Sequence, residues 1–92
     1  MKPCSENKIK LALINLEGWA YNDGAIEKRF VFTNFIDALG FILKVGICSE
    51  KINHHAEIFN VFNKVQLRLT THDALGVTEN DFLLAAAIEK QL

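Results

Sequence analysis

The sequence is poor in cysteine, the residue that cross-links many small secreted proteins. Its 92 residues include two cysteines, Cys4 and Cys48, which lie far apart and form no CxxC spacing. A disulfide framework is therefore not expected, and the chain fits a reducing compartment. The first ten residues lack the apolar stretch of a secretory signal. The predicted location is the cytoplasm, with the nucleus also open if the source is a eukaryote.

An excess of one charge and a long apolar run are also lacking. The net charge is −1, and acidic and basic residues are mixed along the chain, so neither a nucleic-acid footprint nor a polybasic membrane patch is expected. No apolar run approaches the ~18–20 residues that span a bilayer. What is abundant is hydrophobicity, since half the residues are apolar and seven are Phe. One domain over residues 1–92 is predicted, with apolar surface left for a partner subunit.

The hydrophobic periodicity predicts the order αββαββα. The predicted helices cover about 5–16, 33–53 and 78–92, and the predicted strands cover 19–21, 25–32, 57–62 and 65–71. Strands joined by short turns pair in antiparallel fashion. The fold class is therefore α+β: a two-layer sandwich of a four-stranded antiparallel sheet with three helices on one face. Edge strands in so small a chain are natural sites of dimerisation.

All three histidines lie in one stretch of the chain. His54 and His55 follow the long helix, and His72 ends the last strand. If the last two strands form a hairpin around Asn63–Lys64, the histidines stand eight or nine positions from its turn. Antiparallel pairing then places them at the same end of the sheet. Imidazoles suit proton transfer near neutral pH, so this end of the sheet is a candidate acid–base site.

Other interpretations of these residues remain open from spacing alone. His54 can cap the helix, with the other two histidines on the surface. A zinc site using Cys48 together with the histidines is conceivable, although the recurrent ligand spacing of zinc motifs is absent. Asp81, in the first turn of the last helix, is most simply a capping carboxylate.

Several motifs occur in the order of a known family. They are GW at 18–19, FxF at 30–32, EKINHH at 50–55, FNVFNKVQLRLTTHD at 59–73 and GVTxxD at 76–81. With them the chain resembles the pterin-4a-carbinolamine dehydratases, also called dimerisation cofactors of a homeodomain transcription factor. The resemblance implies the same α+β fold and the loss of water from 4a-hydroxytetrahydropterin to give quinonoid dihydropterin. This reaction recycles the cofactor of aromatic amino acid hydroxylases, and it requires neither a metal nor another cofactor.

The resemblance also implies a set of site residues. The catalytic residues would be His54, His55, His72 and Asp81, and the substrate-binding residues would be His54, His55, Ala56, Glu57, Thr71, His72 and Asp73. Within this set, His54 and His72 resemble the acid–base pair, and His55 resembles the residue that holds the pterin. Ala56 and Ile58 stand where the family usually has Pro and Trp. We expect this to lower the affinity or shift the pterin preference while the chemistry is kept.

The partners implied by the resemblance are a pterin substrate and further copies of the chain, in a homodimer or homotetramer. No direct contact with nucleic acid or a membrane is expected. The alternative function is a non-catalytic binding protein, either a transcription-factor dimerisation cofactor or an inactive pterin-binding paralogue. The intact set of three histidines favours the enzyme.

Overall fold

The helices and strands follow one another in the predicted order. The structure, a computed structural model, describes residues 2–92. Its elements are α1 (Glu6–Leu13), β1 (Ala20–Asn22), β2 (Ala25–Val31), α2 (Phe35–Ile52), β3 (Glu57–Val61), β4 (Lys64–Leu69) and α3 (Glu79–Glu89), with a short 3₁₀ turn at His72–Ala74. Over residues 2–92, no helix has the length and apolar character needed to cross a membrane.

The first helix ends earlier than its periodicity predicts. Ser5 begins α1 by accepting a hydrogen bond from the backbone N–H of Lys8, as expected of an N-cap. The helix stops at Leu13 and not at residue 16, because the chain continues as successive turns toward the sheet. Leu16 and Trp19 are still buried in the core. The apolar spacing continues to Leu16 although the helix ends at Leu13, because the turns that follow also bury their apolar side chains.

The four strands form one antiparallel sheet in the order β1-β2-β4-β3. The predicted β3–β4 hairpin is present, but the predicted position of its turn, Asn63–Lys64, is wrong by one residue. Val61 pairs with Lys64, so the turn residues are Phe62 and Asn63. Asn63 is held there because its side-chain N–H and its backbone carbonyl both bond Phe32 across the sheet, at 2.8 Å each.

The helices cover one face of the sheet and leave the other open. On β4, Val65, Leu67 and Leu69 are buried against the helices, while Gln66 and Arg68 point to the open side. This alternation follows from the two-residue period of a strand. The core also takes its buried residues from all three helices: Ile9 in α1, Ala38, Phe41 and Val45 in α2, and Phe82, Leu84, Ala85 and Ile88 in α3. We call the uncovered side of the sheet the open face.

The N-terminal residues lie against the loop between the 3₁₀ turn and α3. The backbone N–H of Cys4 donates to the carbonyl of Val77 at 2.7 Å. A Cβ atom at Gly76 would come within 2.9 Å of the Pro3 ring. Lys8 pairs with Glu79 at 2.6 Å; this hydrogen bond and the negative charge of Glu79 raise the pKa of Lys8. Residues 3–8 therefore hold the loop that leads into α3.

Candidate active site

A left-handed turn at the end of α2 sets the positions of the two adjacent histidines. Asn53 has φ 56° and ψ 43°, and its N–H donates to the carbonyl of Glu50. The N–H of His54 donates to the carbonyl of Ser49 at 3.0 Å, which completes a Schellman motif. Asn tolerates this conformation better than most residues. Because the chain bends here, the His54 side chain is only 12% exposed, while that of His55 is 60% exposed.

His54 is paired with a buried carboxylate. Its Nε2 atom lies 2.5 Å from Oδ1 of Asp81, whose side chain is fully buried. The second oxygen, Oδ2, accepts a hydrogen bond from the hydroxyl of Thr71 at 2.9 Å and another from the backbone N–H of Thr78 at 2.8 Å. Asp81 therefore caps α3 as its position predicts, and it binds a histidine with the oxygen that is left.

Two threonine hydroxyls form a chain of hydrogen bonds that ends on Asp81. The hydroxyls of Thr71 and Thr78 lie 2.7 Å apart. Since the proton of Thr71 is donated to Asp81, the proton of Thr78 is the one shared between the two threonines. Thr71 also exchanges backbone hydrogen bonds with Gly76, which closes the loop carrying His72. Buried polar groups that are fully hydrogen-bonded in this way fix a single local arrangement.

His72 lies across a cleft from the adjacent histidine pair. It begins the 3₁₀ turn after β4, and its side chain is 82% exposed. The cleft has a volume of about 270 Å³. Its lining residues are Asn53, His54, His55, Thr70, Thr71, His72 and Asp73. The structure thus brings the three histidines together, at the end of the sheet where the hairpin argument places them.

Two exposed carboxylates accompany the two exposed histidines. Nε2 of His55 contacts a carboxylate oxygen of Glu50, five residues earlier on α2. Nε2 of His72 lies 3.9 Å from a carboxylate oxygen of Glu57 at the start of β3. Each of the three histidines is therefore next to one carboxylate, and only the His54–Asp81 pair is buried.

The remaining predicted site residues occupy two kinds of position. Thr71 and Asp73 line the cleft, although the Thr71 hydroxyl is engaged by Asp81. Ala56 is half-buried against the core, and Glu57 lies outside the cleft lining, with its carboxylate directed toward His72. Neither of these two residues is among those that line the cleft.

Sequence reasoning missed Asn53 and Thr70 as lining residues. Asn53 had a usable signal, because an Asn directly after a long apolar helix is a common left-handed terminator. Thr70 had none, since its hydroxyl bonds the carbonyl of Gly24 at 2.8 Å. That contact depends on the pairing of β2 with β4, which local sequence does not reveal.

The zinc hypothesis does not fit this arrangement, and neither does a role for His54 that is limited to capping α2. Cys48 is buried, with its sulfur 3.8 Å from the carbonyl oxygen of Ala87, and it does not line the cleft. Within residues 2–92, no group of three or more His, Cys, Asp or Glu side chains is placed to hold a metal ion. His55 and His72 are exposed, as the capping hypothesis also holds, but the His54 side chain is paired with a buried acid.

The arrangement is suited to moving protons. A carboxylate that accepts from one imidazole nitrogen fixes the tautomer and orientation of the ring. Asp81 does this for Nε2 of His54, which leaves Nδ1 as the nitrogen without a carboxylate partner. His72, on the other side of the cleft, is open to solvent. The cleft thus has one oriented imidazole on one side and one exposed imidazole on the other.

Comparison with known proteins gives a consistent result. A family model described as pterin 4 alpha carbinolamine dehydratase matches residues 2–91. A protein of Rhizobium etli is 52% identical over 84 residues, covering 89% of this chain and 83% of that protein. A protein of Rhizobium johnstonii is 46% identical over 92 residues, covering 98% and 91%. Both carry the name "Putative pterin-4-alpha-carbinolamine dehydratase".

A solved structure is similar over nearly the whole fold. The crystal structure of a transcriptional coactivator/pterin dehydratase from Brucella melitensis superposes with a TM-score of 0.92 at 36% identity, covering 97% of each chain. The α+β fold and the family predicted from the motifs are both confirmed. The chain belongs to the pterin 4 alpha carbinolamine dehydratase family.

Proposed function

We propose that the protein dehydrates 4a-hydroxytetrahydropterin to quinonoid dihydropterin through its histidines. The observation that carries the proposal is the pair formed by His54 and buried Asp81, which faces His72 across a cleft of about 270 Å³. The relatives named as dehydratases and the family match over residues 2–91 support this substrate class. The product is the form that returns to the cofactor pool of aromatic amino acid hydroxylases.

The reaction requires one proton to be given and one to be taken. The C4a–O bond breaks, and the hydroxyl group leaves as water after it receives a proton from an acid. The N5–H bond breaks in turn, its electron pair forms the C4a=N5 double bond, and its proton goes to a base. His54 and His72 are the acid–base pair in this proposal. A positioned acid or base is typically worth ~10²–10⁴ in rate.

The remaining cleft residues bind and orient the pterin. His55, beside the acid–base residues, is exposed and contacts the edge of the ring. The backbone of Thr71 to Asp73 offers hydrogen-bonding groups to the amide and amino edge of the pterin. Ala56 and Glu57 do not line the cleft. In this proposal they act on it indirectly, Ala56 by setting the path of the chain after His55 and Glu57 through His72.

The direct test is stopped-flow absorbance of freshly generated 4a-hydroxytetrahydropterin with the wild type and with His54→Ala, His55→Ala and His72→Ala. We expect wild type to accelerate the dehydration, and we expect His54→Ala and His72→Ala to lose most of the acceleration in kcat. His55→Ala should mainly raise KM. A well-folded wild type that gives no acceleration would exclude the enzyme and leave the binding function.

A matched variant tests the two departures from the family pattern. Pro at position 56 would stiffen the segment that carries the histidine pair, and Trp at position 58 would add aromatic surface. We expect Ala56→Pro/Ile58→Trp to lower KM several-fold with little change in kcat, or to change the order of preference among pterins. Steady-state kinetics with two pterins of different side chain decide this. Parameters equal to those of wild type would show that neither departure matters.

Self-association is the second part of the proposal. Four apolar residues, Ile36, Leu39, Leu43 and Ile47, follow one side of α2 at helical spacing and are exposed. β3 is an edge strand of the sheet. We infer that a homodimer or homotetramer forms through these surfaces in the cytoplasm. The Brucella melitensis relative is titled a transcriptional coactivator as well, and the same side of α2 is the surface that a transcription-factor partner would use.

A further inference from the structure

Arg68 occupies a fixed position on the open face of the sheet. One of its terminal nitrogens donates to the carbonyl of Asn22 at 3.2 Å and to the carboxylate of Glu27 at 3.1 Å. The other donates to the carbonyl of Asp23 at 3.1 Å. Two of these bonds tie the guanidinium to the β1–β2 turn and the third ties it to β2. A planar fork held on this many acceptors has little freedom left.

The remaining nitrogen of Arg68 lies near Glu57. Its Nε lies 3.8 Å from one carboxylate oxygen of Glu57, which stands directly opposite Arg68 in the β3–β4 register. The other oxygen of Glu57 lies 3.9 Å from Nε2 of His72. Arg68 and His72 therefore lie next to opposite oxygens of one carboxylate. Arg68 lies within the motif at 59–73, but it is not one of the site residues that the resemblance implies.

We propose that Arg68 is a positioning residue, which holds Glu57 so that its carboxylate faces Nε2 of His72 and leaves Nδ1 for the substrate. The inference rests on the proposed function, because it gives His72 its role. Separations just beyond hydrogen-bonding range are common in ligand-free sites and shorten when the substrate binds. A shortening of about 1 Å at the His72–Glu57 contact gives an ordinary hydrogen bond.

Other charged groups also face His72 and set the background against which Glu57 acts. His54 and His55 line the same cleft from the end of α2, and Asp73 lines it from the 3₁₀ turn. The positive charge of Arg68 lies beyond Glu57, on its far side. Glu57 is the carboxylate found within 4 Å of the His72 ring nitrogens in residues 2–92.

Two glutamates provide a matched pair for the first experiment, which needs no pterin. Long-range ¹H–¹⁵N NMR of the imidazole rings, which reports the nitrogen that carries the proton, is recorded at one fixed pH in wild type, Glu57→Gln and Glu50→Gln. A carboxylate beside Nε2 favours the ring form with its proton on that nitrogen, so Glu57→Gln should change the Nε2 signal of His72 and leave the signals of His55 in place. Glu50→Gln should do the reverse. A His72 signal that is unchanged in Glu57→Gln would overturn the proposal.

A double-mutant cycle tests whether Arg68 acts through Glu57. Glu57→Gln should lower kcat/KM about three- to tenfold, as expected for one charge about 4 Å away in a partly solvated site. Arg68→Met should lower kcat/KM by a similar factor, and the double variant should be no slower than Glu57→Gln. Effects that multiply would show that Arg68 acts independently of Glu57, which contradicts the proposal.

Two controls separate this outcome from trivial causes. Urea unfolding of each variant, with Arg68→Lys as a milder change, shows whether the β1–β2 turn has been lost. If Arg68→Met unfolds, the cycle is run with Arg68→Lys, which keeps the charge but loses the fork. A wild type without dehydratase activity would remove the proposed function, yet the NMR comparison of the imidazole nitrogens would still decide whether Glu57 faces His72.

Discussion

Asp81 both caps α3 and holds the imidazole of His54. Its two oxygens have separate partners, with the helix N-terminus and Thr71 on one and the imidazole on the other. A carboxylate at this helix position is expected to stabilise the first turn. The other oxygen holds the His54 ring from a position that the fold already fixes.

Asp81→Asn should separate these two roles. The amide keeps the shape but cannot accept hydrogen bonds at both of its terminal atoms, so we expect a loss of about 1–3 kcal/mol in the free energy of unfolding. We also expect kcat to fall about a hundredfold or more, since the tautomer and orientation of His54 are no longer fixed. Urea unfolding and stopped-flow kinetics measure the two effects.

Thr71→Val is the matched control for that substitution. It removes one hydrogen bond to Asp81 and leaves the carboxylate beside His54. It should therefore lower stability by a comparable amount with a much smaller effect on kcat. If Asp81→Asn lost only stability and kept its kcat, the proposed role of Asp81 in positioning His54 would be wrong.

Leu75 has a backbone conformation that is unfavourable for a branched side chain. It has φ 57° directly after the 3₁₀ turn, and it is 91% exposed. A branched side chain in the left-handed region costs roughly 1–2 kcal/mol, and no burial offsets this cost here. We expect Leu75→Asn to raise the free energy of unfolding by about 0.5–1 kcal/mol, as measured by urea denaturation.

Leu83→Asn is the control for the change in polarity alone. Leu83 is also exposed, but it lies within α3, where Asn is a weaker helix former than Leu. This variant should be slightly less stable than wild type. Equal changes in the two variants would mean that the conformation at Leu75 carries no strain.

At the scale of the element, the end of α2 determines where the histidine pair points. The Schellman motif at Asn53 turns the chain so that His54 enters the protein and His55 leaves it. Consecutive residues of an extended strand would also diverge, but they would not place one imidazole against a carboxylate on α3. The left-handed residue is thus part of the architecture of the site.

Two substitutions at Asn53 test this turn. Asn53→Ala places a Cβ-bearing residue without a compensating amide at φ 56°, and it should cost about 1 kcal/mol in the free energy of unfolding. Asn53→Gly should be nearly neutral, because glycine adopts this conformation freely. Unfolding curves that do not distinguish the two would contradict a role for the left-handed conformation.

Most of the fold follows from patterns that are local in the sequence. The caps at Ser5, Asn34 and Thr78 and the alternation in β4 predict the elements within a few residues, because each depends on neighbours in the chain. The end of α1 at Leu13 does not, since tertiary packing decides where the helix yields to turns. The hairpin turn at Phe62–Asn63 is likewise set by bonds to Phe32, thirty-one residues away.

The sequence motifs predicted the histidines and Asp81 as residues of one site. The three histidines and Asp81 belong to the motifs on which the resemblance rests, and the histidines line one cleft with Asp81 behind His54. The support behind them was not predictable, because Thr71–Thr78 and Glu57–Arg68 are contacts between different elements. Such contacts depend on strand register and loop path, which periodicity alone does not fix.

At the scale of the whole molecule, the exposed side of α2 is the surface through which we propose that the chain associates. Single exposed apolar residues are common on protein surfaces, but a continuous stripe is typical of an interface. The stripe lies on the opposite side of α2 from its buried residues Ala38, Phe41 and Val45. A substitution on it can therefore change assembly without changing the fold of the subunit.

Leu43→Lys is expected to lower the oligomeric state. Leu43 lies in the middle of the stripe and is 67% exposed, and Leu11 on α1 has the same exposure. Sedimentation velocity should show a smaller species for Leu43→Lys than for wild type, because a buried ammonium group in an apolar interface is unfavourable. Leu11→Lys should sediment as wild type does. An unchanged assembly in Leu43→Lys would exclude α2 as the interface.

The strand order also has a consequence for how the protein is made. The central strand β4 lies between β2 and β3 and comes last of the four in the chain. As the chain leaves the ribosome, β2 must wait for the α2 and β3 segments to follow before it can pair with β4. Contacts between such distant segments form late and slowly in folding. His72 lies shortly after β4, so the cleft between the histidines is completed only when the sheet itself closes, and no fragment with a complete cleft is expected during synthesis.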